Sequence, residues 1–218
     1  MSKCVGVVLS GCGVYDGSEI HEAVLTLLAL DRAGVKVVCM APDRDQFHVV
    51  NHLDGQVSTE RRNILVEAAR VTRGKVVDIT TVKPESLDAV IFPGGYGAAK
   101  NLSNFAFEGA GCEVLPEVVA LVEALHSRGK PLGFLCISPV LAARILGREG
   151  ITLTIGDDGD TAAAIEKMGA HHQDCPVTRC VVDEVHKIVT APCYMYDARI
   201  SEVGAGIEEA VAHILRLA

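Results

Sequence analysis

Short, near-continuous aliphatic runs, separated by longer amphipathic stretches, constrain this chain more than any other feature. Residues 3–9 form a Val/Leu run without polar alternation, the pattern of a strand covered on both faces. A Gly-rich turn follows, and Ser18 can cap a helix that carries Glu19 and Glu22 in its first turn. That helix has apolar residues at 20, 24, 27, 28 and 30 and ends at Gly34. The unit then repeats: strands are predicted at 35–40, 87–92, 132–135 and 151–155, and helices at 60–71, 116–129, 137–146 and 161–168. A hairpin of residues 178–183 and 187–190, and a last helix over 207–217, complete the pattern. This βαβ rhythm predicts an α/β sandwich of one domain, 1–218, with a mainly parallel sheet, helices on both faces and a β-hairpin near the C-terminus. Residues 42–54 read as a polar insertion.

Charge and cysteine usage narrow the function. With 28 acidic against 20 basic side chains, a net charge of −8 and no basic run, the chain lacks the clustered cations that nucleic acid requires. No apolar run approaches the ~20 residues of a membrane span. Eight cysteines without a C-x-x-C pair predict free thiols and, with no leader-like start, a cytoplasmic protein. A small-molecule ligand is the expected partner.

In open α/β sheets ligands bind where strands end, and three such segments stand out. In Gly133-Phe-Leu-Cys-Ile-Ser-Pro139, a strand runs into Cys136 with a helix directly behind it. That is the arrangement of a nucleophile elbow, although Phe134 and Ser138 replace its flanking glycines. A helix N-terminus there would lower the thiol pKa. In Phe92-Pro-Gly-Gly-Tyr-Gly97, the glycines can direct bare backbone at a ligand, so the amides of Gly95 and Ile137 form a candidate oxyanion hole. In Ser10-Gly-Cys-Gly-Val-Tyr-Asp-Gly-Ser-Glu19, Glu19 is the candidate carboxyl facing the sulfur, with a pKa that burial would raise. Its plainer role is a helix-N-terminal acid.

Other chemistries fit less well. Gly11, Gly13 and Gly17 are spaced one residue too widely for a dinucleotide loop, and Glu19 would repel a pyrophosphate. His171, His172, Cys175 and Cys180 lack a standard zinc spacing. No cofactor or metal is expected.

These three segments, together with Ala98-Ala-Lys-Asn-Leu-Ser-Asn-Phe105, resemble the superfamily that joins class I glutamine amidotransferases, PfpI-type proteases and the parkinsonism-associated deglycases, and within it the ElbB-type proteins linked with isoprenoid biosynthesis. The resemblance covers the whole chain. It implies a flavodoxin-like sandwich, a homodimer, nucleophilic Cys136 with supporting Glu19, and a cofactor-independent glyoxalase of the hydro-lyase type that converts glyoxal to glycolate, deglycation included. Residues 153–159, where the deglycases carry a histidine, contain none, which counts against a Cys-His triad. His172, past a helix end at Gly169, is the substitute candidate. A different class of function on the same fold is a redox sensor or partner-binding module, with Cys136 oxidisable and Cys12 or Cys193 resolving it.

Overall fold

The computed structural model describes residues 3–218. In chain order its elements are β1 (Cys4–Val8), α1 (Ile20–Arg32), β2 (Lys36–Ala41), α2 (Ile64–Val71), β3 (Val77–Asp78), β4 (Ala89–Phe92), α3 (Tyr96–Lys100) and α4 (Phe105–Glu108). Then follow α5 (Pro116–His126), β5 (Leu132–Leu135), α6 (Pro139–Leu146), β6 (Thr152–Leu153), α7 (Gly159–Lys167), β7 (His171–His172), β8 (Val181–Asp183), β9 (Ile188–Ala191) and α8 (Ile200–Leu217).

Among the described residues, seven strands make one sheet in the order β3-β2-β1-β4-β5-β9-β8. All its pairs are parallel except the β8–β9 hairpin, so the expected flavodoxin-like α/β architecture is the observed one. Period-2 alternation sorts the strand side chains into two apolar layers. Val8, Val90, Phe92, Leu132 and Phe134 join the layer with α5 and α6. Val7, Leu9, Ile91, Leu135 and Val189 join the layer with α1 and α8. The rings of Phe92 and Phe134 on neighbouring strands stack at 4.9 Å.

Several boundaries differ from expectation for local reasons. Helix α2 begins at Ile64, where Asn63 accepts from the Val66 N–H, because Asn63 itself bridges to Asp45 in the insertion. Helix α8 starts seven residues earlier than its apolar periodicity suggests, opened by a reciprocal cap between Arg199 and Glu202. The most consequential difference is at β7. His171 and His172, which follow the helix end at Gly169, pair in parallel with Thr152 and Leu153 in a separate two-stranded sheet.

Candidate active site

The ends of β4 and β5 meet at Cys136, which holds a left-handed backbone at φ 59° directly after its strand. Such a conformation is costly for a residue with a Cβ and persists only where neighbours enforce it. Here Ser138, fully buried, does the holding. Its hydroxyl donates to Phe92 O (2.7 Å) and accepts from Leu135 N–H (2.8 Å), tying the turn to both strand ends. From the other side, the Cys136 N–H donates to Ala191 O of β9 at 2.9 Å. The elbow expected from the sequence is therefore present, although α6 begins at Pro139 rather than at residue 137.

The Pro-Gly-Gly turn lies against this elbow. A Cβ on Gly94 would come within 2.3 Å of Cys136 Cβ, and one on Gly95 within 2.4 Å of Glu19 N, so both positions exclude a side chain. Gly95 also sits at φ 90°. The amides of Gly95 and Ile137 both direct hydrogen bonds at the Cys136 sulfur. The Gly-rich loop at residues 10–18 completes the rim. Glu19 N–H donates to Gly94 O (2.9 Å), Tyr96 N–H to Val14 O (2.7 Å) and Gly97 N–H to Gly17 O (2.8 Å).

The carboxyl facing the sulfur is Glu22, not Glu19. Glu19 is the N-cap of α1, and its carboxylate turns back to accept from the Glu22 N–H at 2.7 Å. One helical turn further on, Glu22 is 0% exposed and hydrogen-bonded to Cys136. It also accepts from the Gly94 N–H (2.9 Å) and the Tyr194 N–H (3.2 Å). Burial, reinforced by the charge of Glu19, pushes the Glu22 carboxyl up to about 7. Burial and the charge of Glu22 likewise push the Cys136 thiol well above its ordinary value, against the opposing Gly95 and Ile137 amides. The lowered thiol pKa expected from a helix N-terminus is thus reversed, because desolvation of a side chain only 7% exposed outweighs the dipole. Protonation of Glu22 removes the like charge and leaves an O–H to donate to sulfur.

Cys136 opens into a cavity of about 420 Å³, whose walls include Gly95, Ile137, Asp158, Thr161 and Tyr194. Asp158 comes from the segment without histidine. It caps α7, and hydrogen bonds from Thr161 hold its carboxyl below the usual range. His172 does not line this cavity; its Nε2 accepts from the Ile155 N–H at 3.4 Å and its Nδ1 lies 3.7 Å from Asp174. Cys12 senses the charges of Glu67 and Arg70 on α2, whereas Cys193 is fully buried beside Cys136, within reach of its N–H. All eight cysteines are free.

Sequence reasoning missed Glu22, Tyr194 and His21. Only Glu22 left a signal, as an acid one turn along the helix from the residue singled out. One further cluster among the described residues, Cys180, Glu209 and His213, brings three donor atoms within 4.8 Å of one another. The guanidinium groups of Arg179, 2.9 Å from Glu209, and Arg216, 3.2 Å from His213, oppose a cation there.

A buried glutamate against a left-handed cysteine, at the carboxyl edge of a parallel sheet, defines an amidotransferase-like α/β protein with a nucleophile elbow. No family model matches the chain. It is 44% identical over 223 residues to the human glutamine amidotransferase-like class 1 domain-containing protein 3, mitochondrial, an alignment that covers 98% of this chain and 82% of that protein. Identity to the mitochondrial ES1 protein homolog of Rattus norvegicus is 43%, covering 98% and 83%. The crystal structure of an isoprenoid biosynthesis protein with an amidotransferase-like domain from Ehrlichia chaffeensis superposes with a TM-score of 0.91 at 40% identity, covering 98% of this chain and 99% of that one. The chain belongs to this ES1 and ElbB-type family of class I glutamine amidotransferase-like proteins.

The relatives also correct one expectation. The human and rat proteins are named mitochondrial, which overturns the cytoplasmic placement. Free thiols are compatible with any reducing compartment, so they do not single out the cytoplasm. Among the described residues no helix is long and apolar enough to cross a membrane.

Proposed function

We propose that this chain is a cofactor-independent, cysteine-dependent glyoxalase of the hydro-lyase type that converts glyoxal to glycolate, working as one domain within a homodimer. The observation that carries the reading is the convergence on the Cys136 sulfur of the Glu22 carboxyl and the Gly95 and Ile137 amides, at the wall of a cavity. Sulfur adds to one aldehyde carbon, and the amides receive the oxygen that gains charge. Glu22 takes the hydrogen from that carbon and returns it to the other, giving a thioester of the hydroxy acid. Water then cleaves the thioester and restores the thiol, so one carbon is oxidised and its neighbour reduced without an external redox partner. Glu19 supports the site by capping the helix that carries Glu22. A cavity of about 420 Å³ exceeds the needs of a two-carbon dialdehyde and accommodates carbonyl adducts of larger amines, the substrates of a deglycase.

Support for a second copy comes from α1. Its apolar stripe faces outward, with Ile20, Val24 and Leu28 exposed by 43%, 45% and 39%, while Glu22 and Thr26 face the core. A helix so oriented offers its stripe to a partner of the same kind. The test of the activity is Cys136→Ala, which removes the nucleophile and leaves no room problem behind it. Glyoxal consumption should fall to background while the far-ultraviolet spectrum stays unchanged; turnover equal to that of the parent protein refutes the proposal.

A second reading has one specific observation in its favour. Cys193 follows β9, the strand paired with the Cys136 strand, and is itself left-handed at φ 49°. Peroxide would oxidise Cys136 to a sulfenic acid with release of water, and the Cys193 thiol would then displace a second water to form a disulfide. This would make the chain a redox sensor.

A further inference from the structure

A thiol and a carboxyl account for bond formation and for the carbon-bound hydrogen, but the two oxygens of a dicarbonyl adduct must also exchange a proton. No histidine is among the residues that line the cavity. The wall beside Cys136 does carry Tyr194, a half-buried phenol whose position is fixed at both ends. Its backbone N–H donates to Glu22 Oε1 at 3.2 Å, so the residue is anchored to the same carboxylate that faces the sulfur. Its hydroxyl lies 2.9 Å from Nδ1 of His21, and the two rings are 5.8 Å apart. His21 is exposed on α1, next to Glu22 in the chain, so its ring lies in contact with solvent while Glu22 is fully enclosed.

We propose that Tyr194, held and electrostatically supported by His21, is the acid–base group that moves the proton between the two oxygens of the adduct. This inference rests on the dicarbonyl reading above. Addition of the Cys136 thiol, with its proton passing to the oxygen of the attacked carbon, gives a neutral hemithioacetal and leaves Glu22 ionised. Glu22 then removes the hydrogen of that carbon while the Tyr194 O–H donates to the second carbonyl oxygen, forming an enediol and a phenolate. The Nδ1–H of His21 donates to that phenolate. Glu22 returns its proton to the second carbon as the hydroxyl on the first gives its proton to the phenolate. The product is the thioester, Tyr194 is restored, and no net proton enters or leaves. Adjacent oxygens of a cis-enediol are close enough for one phenol to serve both.

The charged and titratable groups around the phenol agree with a donor. Burial comes first, then Glu19 and Glu22 on α1 and Cys193 beside it, and all of them raise the Tyr194 pKa and keep the hydroxyl protonated at neutral pH. Tyr194 also sits where a substitution can be clean. Phe keeps the ring and the backbone N–H to Glu22 and removes only the hydroxyl.

The experiment measures steady-state glyoxal turnover and the rate of Cys136 alkylation by iodoacetamide in the parent protein and in Tyr194→Phe, His21→Ala and His21→Asn. Loss of a general acid–base group should lower kcat of Tyr194→Phe about 10²-fold or more, with KM within about threefold and Cys136 alkylation unchanged. His21→Ala should lower kcat about tenfold, and His21→Asn, whose amide N–H can still reach the phenol oxygen, should recover most of it. A Tyr194→Phe protein that keeps kcat within about twofold overturns the inference and leaves the glyoxalase reading standing. Parallel loss of turnover and alkylation also overturns it, because the hydroxyl would then be acting through the nucleophile. A parent protein without Cys136-dependent turnover removes both.

Discussion

Replacing Glu22 with Gln should change how stability depends on pH, in a direction fixed by burial. The Glu22 carboxyl has an ordinary value of 4.5 and is pushed to about 7 in the folded protein. Because the folded value is the higher one, the stability tied to its proton is complete below about pH 4.5. It is lost as pH rises through about 7, where the folded state must hold a buried carboxylate. At ~1.4 kcal/mol per pH unit, the loss across that window is about 3 kcal/mol. Gln carries no charge at any pH, so the unfolding free energy of the parent protein minus that of Glu22→Gln should fall by about 3 kcal/mol between pH 4.5 and pH 8. For a chain of this size that corresponds to roughly 6–12 °C of relative melting temperature. Urea unfolding of both proteins at four pH values isolates the effect, because groups that do not sense the Glu22 charge titrate alike in the two. A difference that stays flat within about 0.5 kcal/mol, or that rises with pH, would show that Glu22 is solvated or paired as a carboxylate and would undo its assignment as the proton carrier beside Cys136.

Two further outcomes follow from the outward stripe and the paired strands. Val24→Lys with Leu28→Lys places two charges on the exposed face of α1, so sedimentation should report a dimer for the parent protein and a monomer for the variant, with the fold intact; an unchanged sedimentation coefficient would refute this face as the interface. Under mild peroxide, a sensor should show a Cys136–Cys193 disulfide by peptide mass mapping that Cys193→Ser abolishes, whereas stepwise over-oxidation of Cys136 in both proteins would refute the resolving role of Cys193.

The parallel sheet, the strand ends and the elbow were legible in the residues because each depends on neighbours within a few positions. An aliphatic run of five or six, a Pro-Gly-Gly turn and a cysteine between strand and helix specify local backbone whatever surrounds them. The amides of Gly95 and Ile137 belong to those same turns, so their direction could be read from the chain. The partners of the sulfur could not. The periodicity of α1 identifies a stripe at residues 20, 24 and 28, and a stripe is ordinarily the buried face; which face turns inward was decided by α8 and the elbow, and they drew in Glu22 and Thr26 instead. Cys193 and Tyr194 reach the site because β9 inserts beside β5, more than fifty residues away in sequence. His171 and His172, which look like a helix cap, are taken by a two-stranded pairing that no local pattern announces. The protonation of the site follows the same division. A helix N-terminus suggests an activated thiol, but pKa depends on how much water remains, and enclosure by three strand ends removes it. Sequence alone therefore determined where Cys136 and the amides of Gly95 and Ile137 stand. The tertiary packing decided which carboxyl faces the sulfur and how strongly its proton is held, because burial and charge proximity are properties of neighbours distant in the chain.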